Sequence, residues 1–178
     1  DEVKFLVKLR SDGLHLLRNT LGDEKISYQE DGGYELFMKA TDKIETRINE
    51  INTLLYPIFN QNIFSQENKH IKSNGFANDK VNTLLKNKLE GTIDTGKMMW
   101  SLHKKVREKG IALFTSSNIK NFKEQSNGIV LQVQNGGNQT EIKTQKLAIC
   151  NNAFSKNWFP KEEINPGRGM VLITKPIS

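Results

Sequence analysis

The residues best placed to approach a ligand lie in two turns beside predicted apolar strands near the end of the chain. Asn151 and Asn152 follow the apolar run that ends in Cys150. The second turn, Pro-Gly-Arg-Gly at residues 166–169, precedes another apolar run. Glycine and asparagine tolerate backbone conformations that let the main chain pass close to a ligand. The two turns therefore indicate a place where backbone contacts a bound molecule.

Histidine and cysteine, which often carry catalysis or hold metals, are sparse in this sequence. His15, His70 and His103 lack the spacing of a metal site, and we predict none. The single cysteine, Cys150, excludes an internal disulfide framework and a Cys-rich zinc site. It ends an apolar strand, where cysteine usually behaves as a small hydrophobe, so a structural role is favoured over a reactive thiol.

Charge and hydropathy narrow the class of protein. The formal net charge of the 178 residues is +6, but the lysines are spread along the chain rather than gathered in blocks. This pattern favours a solvated basic surface over a nucleic-acid site. No apolar run approaches the roughly 18 residues that a membrane span needs. We therefore predict a soluble chain, and the lone cysteine is in keeping with the cytoplasm.

Apolar residues at spacings of three and four predict two helices in the first third of the chain. The first covers residues 3–21 and is closed by Gly22. Asp42 stands three residues before Glu45, which predicts a capping-box-like start for the second helix. This helix is expected to end before Pro57, because proline disrupts a helix interior.

Two more helices are predicted further along. Leucine spacing predicts one that reaches Glu90 from about residue 81. The other is capped by Asp94 or Thr95 and ends at Gly110. The apolar stripe of this last helix comprises Met98, Met99, Leu102 and Val106.

Short strands are predicted between and after the helices. Alternating apolar residues around an Asp-Gly-Gly turn predict a hairpin over residues 26–38. Weak strands are expected at residues 63–64 and 70–71, and a buried strand at 111–114. A meander follows, with the strand sequences NIKNF, GIVLQV, TEIKT and KLAIC. Together these elements predict an α/β fold with an antiparallel insert.

The order of these pieces resembles the middle of the D-amino-acid oxidase and glycine oxidase family of FAD-dependent oxidoreductases. The resemblance begins at about residue 5 and is carried by "EGTIDTGKMMWSLHKKVREKGIALFTSSNIKNF", the meander, "LAICNNAF" and "PGRGMVLI". It implies an α+β substrate lobe joined to part of an FAD-binding domain with an antiparallel β-meander. The implied division is a connecting helix at residues 1–24, part of the substrate lobe at 25–90 and part of the FAD-binding domain at 91–178.

The glycine-rich turn that anchors FAD in this family does not occur in the sequence. The Gly167 and Gly169 pair is followed by Leu172 instead of the third glycine of a G-x-G-x-x-G motif. The resemblance therefore implies an internal fragment of a longer enzyme that lacks the main cofactor anchor, so we predict that FAD binds to the full-length parent and that the purified fragment retains no FAD and is inactive. Such a fragment is expected to expose strand edges and to self-associate.

The resemblance also implies cofactor contacts. Asn118 and Ile119 match a strand whose main chain contacts the adenine of FAD, although Ile119 as an ordinary core residue remains an alternative. The turn beside the FAD diphosphate is matched by Cys150, Asn151, Asn152 and Ala153. The family often has glycine where Asn152 stands, but asparagine tolerates positive φ better than most residues.

Three further residues are candidates for roles near the flavin or the substrate. Arg168 and Gly169 match a turn near the flavin, where a guanidinium can hold an anionic group. The alternative for Arg168 is a solvated turn residue. Glu35, on a strand that resembles one of the substrate lobe, is a candidate for contact with a substrate amine or else faces solvent.

The implied activity is oxidation of an amine or amino acid by hydride transfer to flavin, after which water hydrolyses the imine. Two alternatives remain open from the sequence. One is a non-catalytic relative that keeps the fold as an interaction scaffold. The other is a basic nucleic-acid-binding module, supported only by Tyr28, Tyr34 and Phe37 on the predicted hairpin.

Overall fold

The computed structural model describes residues 2–39, 42–76 and 79–173. They fall into two compact units, residues 1–113 and 114–178. Two antiparallel three-stranded sheets accompany the helices, which confirms the predicted mixed α/β class. The assignment of residues 1–24, 25–90 and 91–178 to functional regions stays a prediction.

Two helices of the first unit agree with the sequence prediction. Helix α1 spans Glu2–Leu21, and Gly22 follows it with φ of +89°, donating its N–H to the Arg18 carbonyl at 2.7 Å. The short helix α2 follows at Asp23–Ile26. Helix α4 spans Thr95–Glu108, and the predicted cap Asp94 accepts the Lys97 N–H at 2.9 Å. On α4, Met98, Leu102 and Val106 are half-buried, whereas Met99 is exposed.

The prediction for the helix around residue 50 was wrong at both ends. Helix α3 spans Ile44–Phe59, and the residue before it, Lys43, makes no side-chain cap. The helix also continues through Pro57. Proline removes the N–H that would bond to the Thr53 carbonyl, but both residues lie on the exposed face, where water can hydrate that carbonyl. Only two helical residues follow Pro57, so the proline destabilises the helix less than it would in the middle.

The sheet of the first unit contains strands β1 (Gly33–Phe37), β2 (Phe64–Gln66) and β3 (Thr83–Asn87), in the order β1-β3-β2. The predicted hairpin over residues 26–38 was therefore wrong, because β1 pairs with β3 rather than with the residues before it. Ile26 belongs to α2 instead. The hairpin that supported a nucleic-acid module is not formed.

Two further predictions in this region need correction. Residues 83–87 form β3 where a helix was predicted, because pairing with β1 and β2 on both sides outweighs the helical spacing of the leucines. The strand predicted at residues 70–71 is absent, because His70 ends a 3-10 segment at Asn68–His70 and Ile71 begins the turn after it. The strand predicted at 63–64 is present as β2, shifted by one residue at its start.

One buried amide joins α3 to β2. Asn52 is 5% exposed, and its Oδ1 accepts the N–H groups of Ile63 and Phe64, both at 2.9 Å. Its Nδ2 donates to the Phe64 carbonyl at 2.8 Å. A polar side chain is tolerated there because it satisfies backbone groups at the start of the strand. Next to β2, the central strand β3 contributes the fully buried Leu84, which packs with Ile71, Val81 and Phe76.

An arginine joins α1 to the segment that follows α2. The Arg18 guanidinium donates two hydrogen bonds to Asp23, at 2.9 and 2.8 Å, and lies 4.1 Å from the centre of the Tyr28 ring. The hydrogen bond from Arg18 holds the pKa of Asp23 below its usual value. Burial raises the pKa of Tyr28, and in the described part of the chain its hydroxyl is buried without a hydrogen-bond partner.

This unpaired hydroxyl gives a stability prediction. Tyr28→Phe keeps the ring beneath Arg18 and removes a polar atom whose burial is uncompensated, so stability is expected to stay unchanged or to rise by about 1 kcal/mol. Urea denaturation of the two proteins measures the difference. Tyr28→Leu, which removes the ring, is the control and is expected to destabilise. A clear loss of stability in Tyr28→Phe would show that the hydroxyl has a partner.

The second unit contains the predicted meander. Strands β4 (Ser117–Gln125), β5 (Gly128–Asn135) and β6 (Asn138–Thr144) pair in sequence order, each antiparallel to the next. Residues 111–114, 146–150 and 170–173, where sequence predicted or suggested strands, lie outside any strand of the described chain. A run of apolar residues becomes a strand only where another strand pairs with it, and within the described ranges none pairs with these segments. Cys150, predicted to end such a strand as a small hydrophobe, is therefore exposed. None of the helices described is both long and apolar enough to cross a bilayer.

Candidate functional site

A β-bulge shapes one face of the meander. Ile119 pairs with Val133, Asn121 pairs with Gln132, and Lys120 is the extra residue between them. Residues 119 and 122 would point to opposite faces of a regular strand. Because the bulge shifts the alternation, Ile119 and Phe122 lie opposite Val133 and Leu131, which are two residues apart on β5 and share a face. Both apolar side chains therefore point to the same side of the sheet.

A pocket of about 270 Å³ opens on this side of the second unit. One wall is aromatic, because the ring centres of Phe122 and Trp158 lie 5.5 Å apart with the rings tilted by 32°. The segment after β6 forms another wall. The lining residues are Asn118, Ile119, Phe122, Leu147, Ala148, Ile149, Cys150, Asn151 and Trp158.

The turn beside this pocket is held by a side-chain hydrogen bond. Asn151 Oδ1 accepts the Ser155 hydroxyl at 2.6 Å, and the Asn151 carbonyl accepts the Phe154 N–H at 3.1 Å. Asn152 has φ of +50°, the left-handed conformation that glycine adopts most easily and asparagine tolerates. A 3-10 segment follows at Asn152–Asn157. The backbone at the mouth of the turn therefore has the glycine-like geometry expected from its sequence.

The structure brings four of the candidate cofactor residues together. Residues 118 and 119 on β4 and residues 150 and 151 after β6 line the same pocket, although about thirty positions separate the two pairs in the sequence. Asn152 and Ala153 continue the turn directly after them.

The remaining candidates do not line this pocket. Arg168 and Gly169 lie in an exposed segment outside any helix or strand. Glu35 lies in the first unit, exposed on β1 and paired with Leu85.

Sequence reasoning missed the aromatic wall. Phe122 stood at the end of a predicted strand, but the bulge that turns it toward Ile119 has no signal in the sequence, since Lys120 is an ordinary surface residue. Trp158 lies beyond the turn motif. Its only signal was its position in a short segment rich in aromatic residues, Phe154, Trp158 and Phe159.

The side chains that line the pocket suit binding of a small molecule rather than acid–base catalysis or metal coordination. In the described part of the chain, none of the lining residues is an acid, a histidine, a lysine or an arginine. Nor does any group of three or more His, Cys, Asp or Glu within the described ranges come together as metal ligands would. Apolar and aromatic walls with a few amide groups are typical of a small-molecule binding site.

The fold is one found in amino-acid oxidoreductases of known structure. L-proline dehydrogenase from P. horikoshii matches with a TM-score of 0.59 and 19% identity, over 79% of this chain and 37% of that chain. Glycine oxidase from Geobacillus kaustophilus matches with a TM-score of 0.59 and 15% identity, over 85% and 40%. Glycine oxidase from Bacillus cereus matches with a TM-score of 0.58 and 13% identity, over 88% and 42%. No curated protein matches the sequence.

The family follows from the sequence itself. The profile of the family described as "FAD dependent oxidoreductase" matches residues 2–178, and the chain belongs to this family. The predicted resemblance is thereby confirmed. The chain spans about 40% of the length of the solved structures that it matches.

Proposed function

We propose that this chain is part of an enzyme that oxidises an amine or an amino acid with FAD, and that the pocket of the second unit holds the adenine end of the cofactor. The observation that supports this most directly is the convergence of Asn118, Ile119, Cys150 and Asn151 on one pocket. The names of the solved structures, glycine oxidases and a proline dehydrogenase, support an amino acid as the substrate class.

The size and walls of the pocket fit one ring system of the cofactor. Its volume of about 270 Å³ lies just below the usual range for complete small-molecule sites, about 300–1,000 Å³. Such a space suits a fused ring better than a whole dinucleotide. The strand β4 lies at the edge of its sheet, so part of its backbone N–H and C=O groups point away from β5. These groups can bond to the edge of a base while Ile119 packs against its face.

The same proposal assigns the other candidate residues to contacts with the diphosphate, the flavin and the substrate. The turn at residues 150–153 runs along the diphosphate, since positive φ at Asn152 permits close approach of the backbone. Arg168 and Gly169 border the flavin, and Glu35 approaches the substrate amine. Bound FAD supplies the hydride acceptor for oxidation of the carbon bearing the amine. A cytoplasmic location and self-association of the isolated chain stay predictions.

Binding of an adenine nucleotide to the 178-residue chain tests the proposal. Trp158 lines the pocket, whereas Trp100 lies in the first unit and is 66% exposed, so Trp100→Phe leaves one tryptophan as a reporter. We expect a saturable change in Trp158 emission on titration with AMP or FAD, and none with ribose 5-phosphate. Emission that does not respond to either AMP or FAD would overturn the assignment of the pocket.

A further inference from the structure

We propose that Phe122 and Trp158 are the specificity-determining residues of the pocket and that recognition is of the base, with little contribution from phosphate. This inference rests on the proposed function and adds to it which residues select the ligand. Their ring centres lie 5.5 Å apart, and both residues line the pocket. They therefore form a continuous aromatic wall against which a planar heteroaromatic ring can stack.

The aromatic wall is assembled from two distant parts of the second unit. Phe122 is turned to this side by the bulge at Lys120, and its cross-strand partner Leu131 is 7% exposed beneath it. Trp158 comes from the end of the turn, where its N–H bonds to the Ser155 carbonyl at 2.9 Å. Both aromatic side chains are only half-buried, so they keep surface that a ligand can cover.

The absence of charged side chains among the described residues that line the pocket favours recognition of the base over recognition of the phosphate. A phosphate site needs cationic side chains or converging backbone N–H groups, and arginine or lysine is the usual choice. No arginine or lysine is among the described residues that line the pocket. Contact with the phosphate of a bound nucleotide is therefore limited to the uncharged backbone of the turn at residues 150–153, which adds little to the affinity. Adenosine and AMP are expected to bind with affinities within about threefold of each other, with little dependence on salt.

Equilibrium dialysis of labelled adenosine against the 178-residue chain tests the role of each ring. Trp158→Leu and Phe122→Leu keep apolar side chains and remove the aromatic face, so each is expected to weaken adenosine binding at least about fivefold, the low end of what base stacking contributes. Phe154→Leu is the matched control, because Phe154 lies on the same turn, is 72% exposed and does not line the pocket. It is expected to bind as the unmodified chain does.

The outcomes separate this inference from the proposed function. Binding of AMP by the unmodified chain together with undiminished binding by both leucine variants would overturn the role of the rings and leave the adenine pocket standing. Competition by ribose 5-phosphate, or AMP binding more than tenfold tighter than adenosine, would overturn base recognition. Urea denaturation of each variant shows whether the second unit is folded. A variant that is unfolded is replaced by Trp158→Phe, which keeps a smaller ring and is expected to retain part of the affinity.

Discussion

Asn52→Ala is expected to lower the free energy of unfolding of the first unit by about 2–4 kcal/mol, which is a large effect for a single polar side chain. The variant removes the acceptor of the Ile63 and Phe64 N–H groups and the donor to the Phe64 carbonyl. Ile63 is 3% exposed, so its N–H cannot turn to water without opening the structure. A buried donor left without a partner costs about 1–3 kcal/mol by itself.

Urea denaturation and amide hydrogen exchange measure this effect. Exchange at Ile63 and Phe64 is expected to accelerate most, while amides of the meander exchange as before, because the meander belongs to the other compact unit. Asn49→Ala is the control on the same helix, since Asn49 is exposed, and it should change stability by less than about 0.5 kcal/mol. Equal effects of the two variants would mean that the helix, rather than the Asn52 amide, determines the stability of this region.

The elements that sequence predicted correctly carry their own local signals. Helix α4 has both a leading Asp94 that caps it and a regular apolar pattern, and α1 is closed by Gly22. The meander has Gly-containing turns between alternating strands. In each case the residues that determine the structure lie within the element or next to it, so reading the chain locally is sufficient.

The wrong predictions concern elements whose partners are far away in the sequence. Leu84 and Leu85 fit a helix as well as a strand by spacing alone, and pairing of β3 with β1, some fifty residues earlier, decides for the strand. The predicted hairpin is absent for a similar reason: Ile26 belongs to α2, and Gln29 forms an isolated antiparallel bridge with Thr92, more than sixty residues away. Predicting such pairings requires knowledge of contacts that no local pattern contains.

The candidate site was predictable only in part for a similar reason. The turn at residues 150–153 has an unusual sequence, two consecutive asparagines after an apolar run, and its positive φ at Asn152 follows from that residue type. The aromatic wall has no such signal, because Phe122 reaches the pocket through a bulge at an unremarkable lysine. A shift of one residue in register exchanges the two faces of a strand, so alternation alone would have placed Phe122 on the face opposite Ile119.

The strand β5 lies between β4 and β6 and so supports the wall of the pocket, and a glycine at its start is closely packed against β6. Gly128 begins β5 with φ of +144°, and a Cβ at this position would lie 2.5 Å from the Thr144 carbonyl oxygen on β6. The residue next to it, Ile129, pairs with Thr144. Any side chain at position 128 therefore pushes apart the strands that support the pocket wall.

Gly128→Ala is accordingly expected to destabilise the second unit by about 3 kcal/mol, since strained backbone and overpacking each cost about 1–3 kcal/mol. Adenosine binding should weaken together with stability, because β5 positions β4 and Phe122. Two glycines of the next turn are matched controls, with no atom of the described chain within 4 Å of a Cβ built on either. Gly137→Ala should be neutral, and Gly136→Ala, with φ of +58°, should cost only about 1 kcal/mol. Urea denaturation followed by Trp158 emission in the Trp100→Phe background ranks the three variants, and a Gly128→Ala protein as stable as Gly137→Ala would show that β5 and β6 separate at that end without cost.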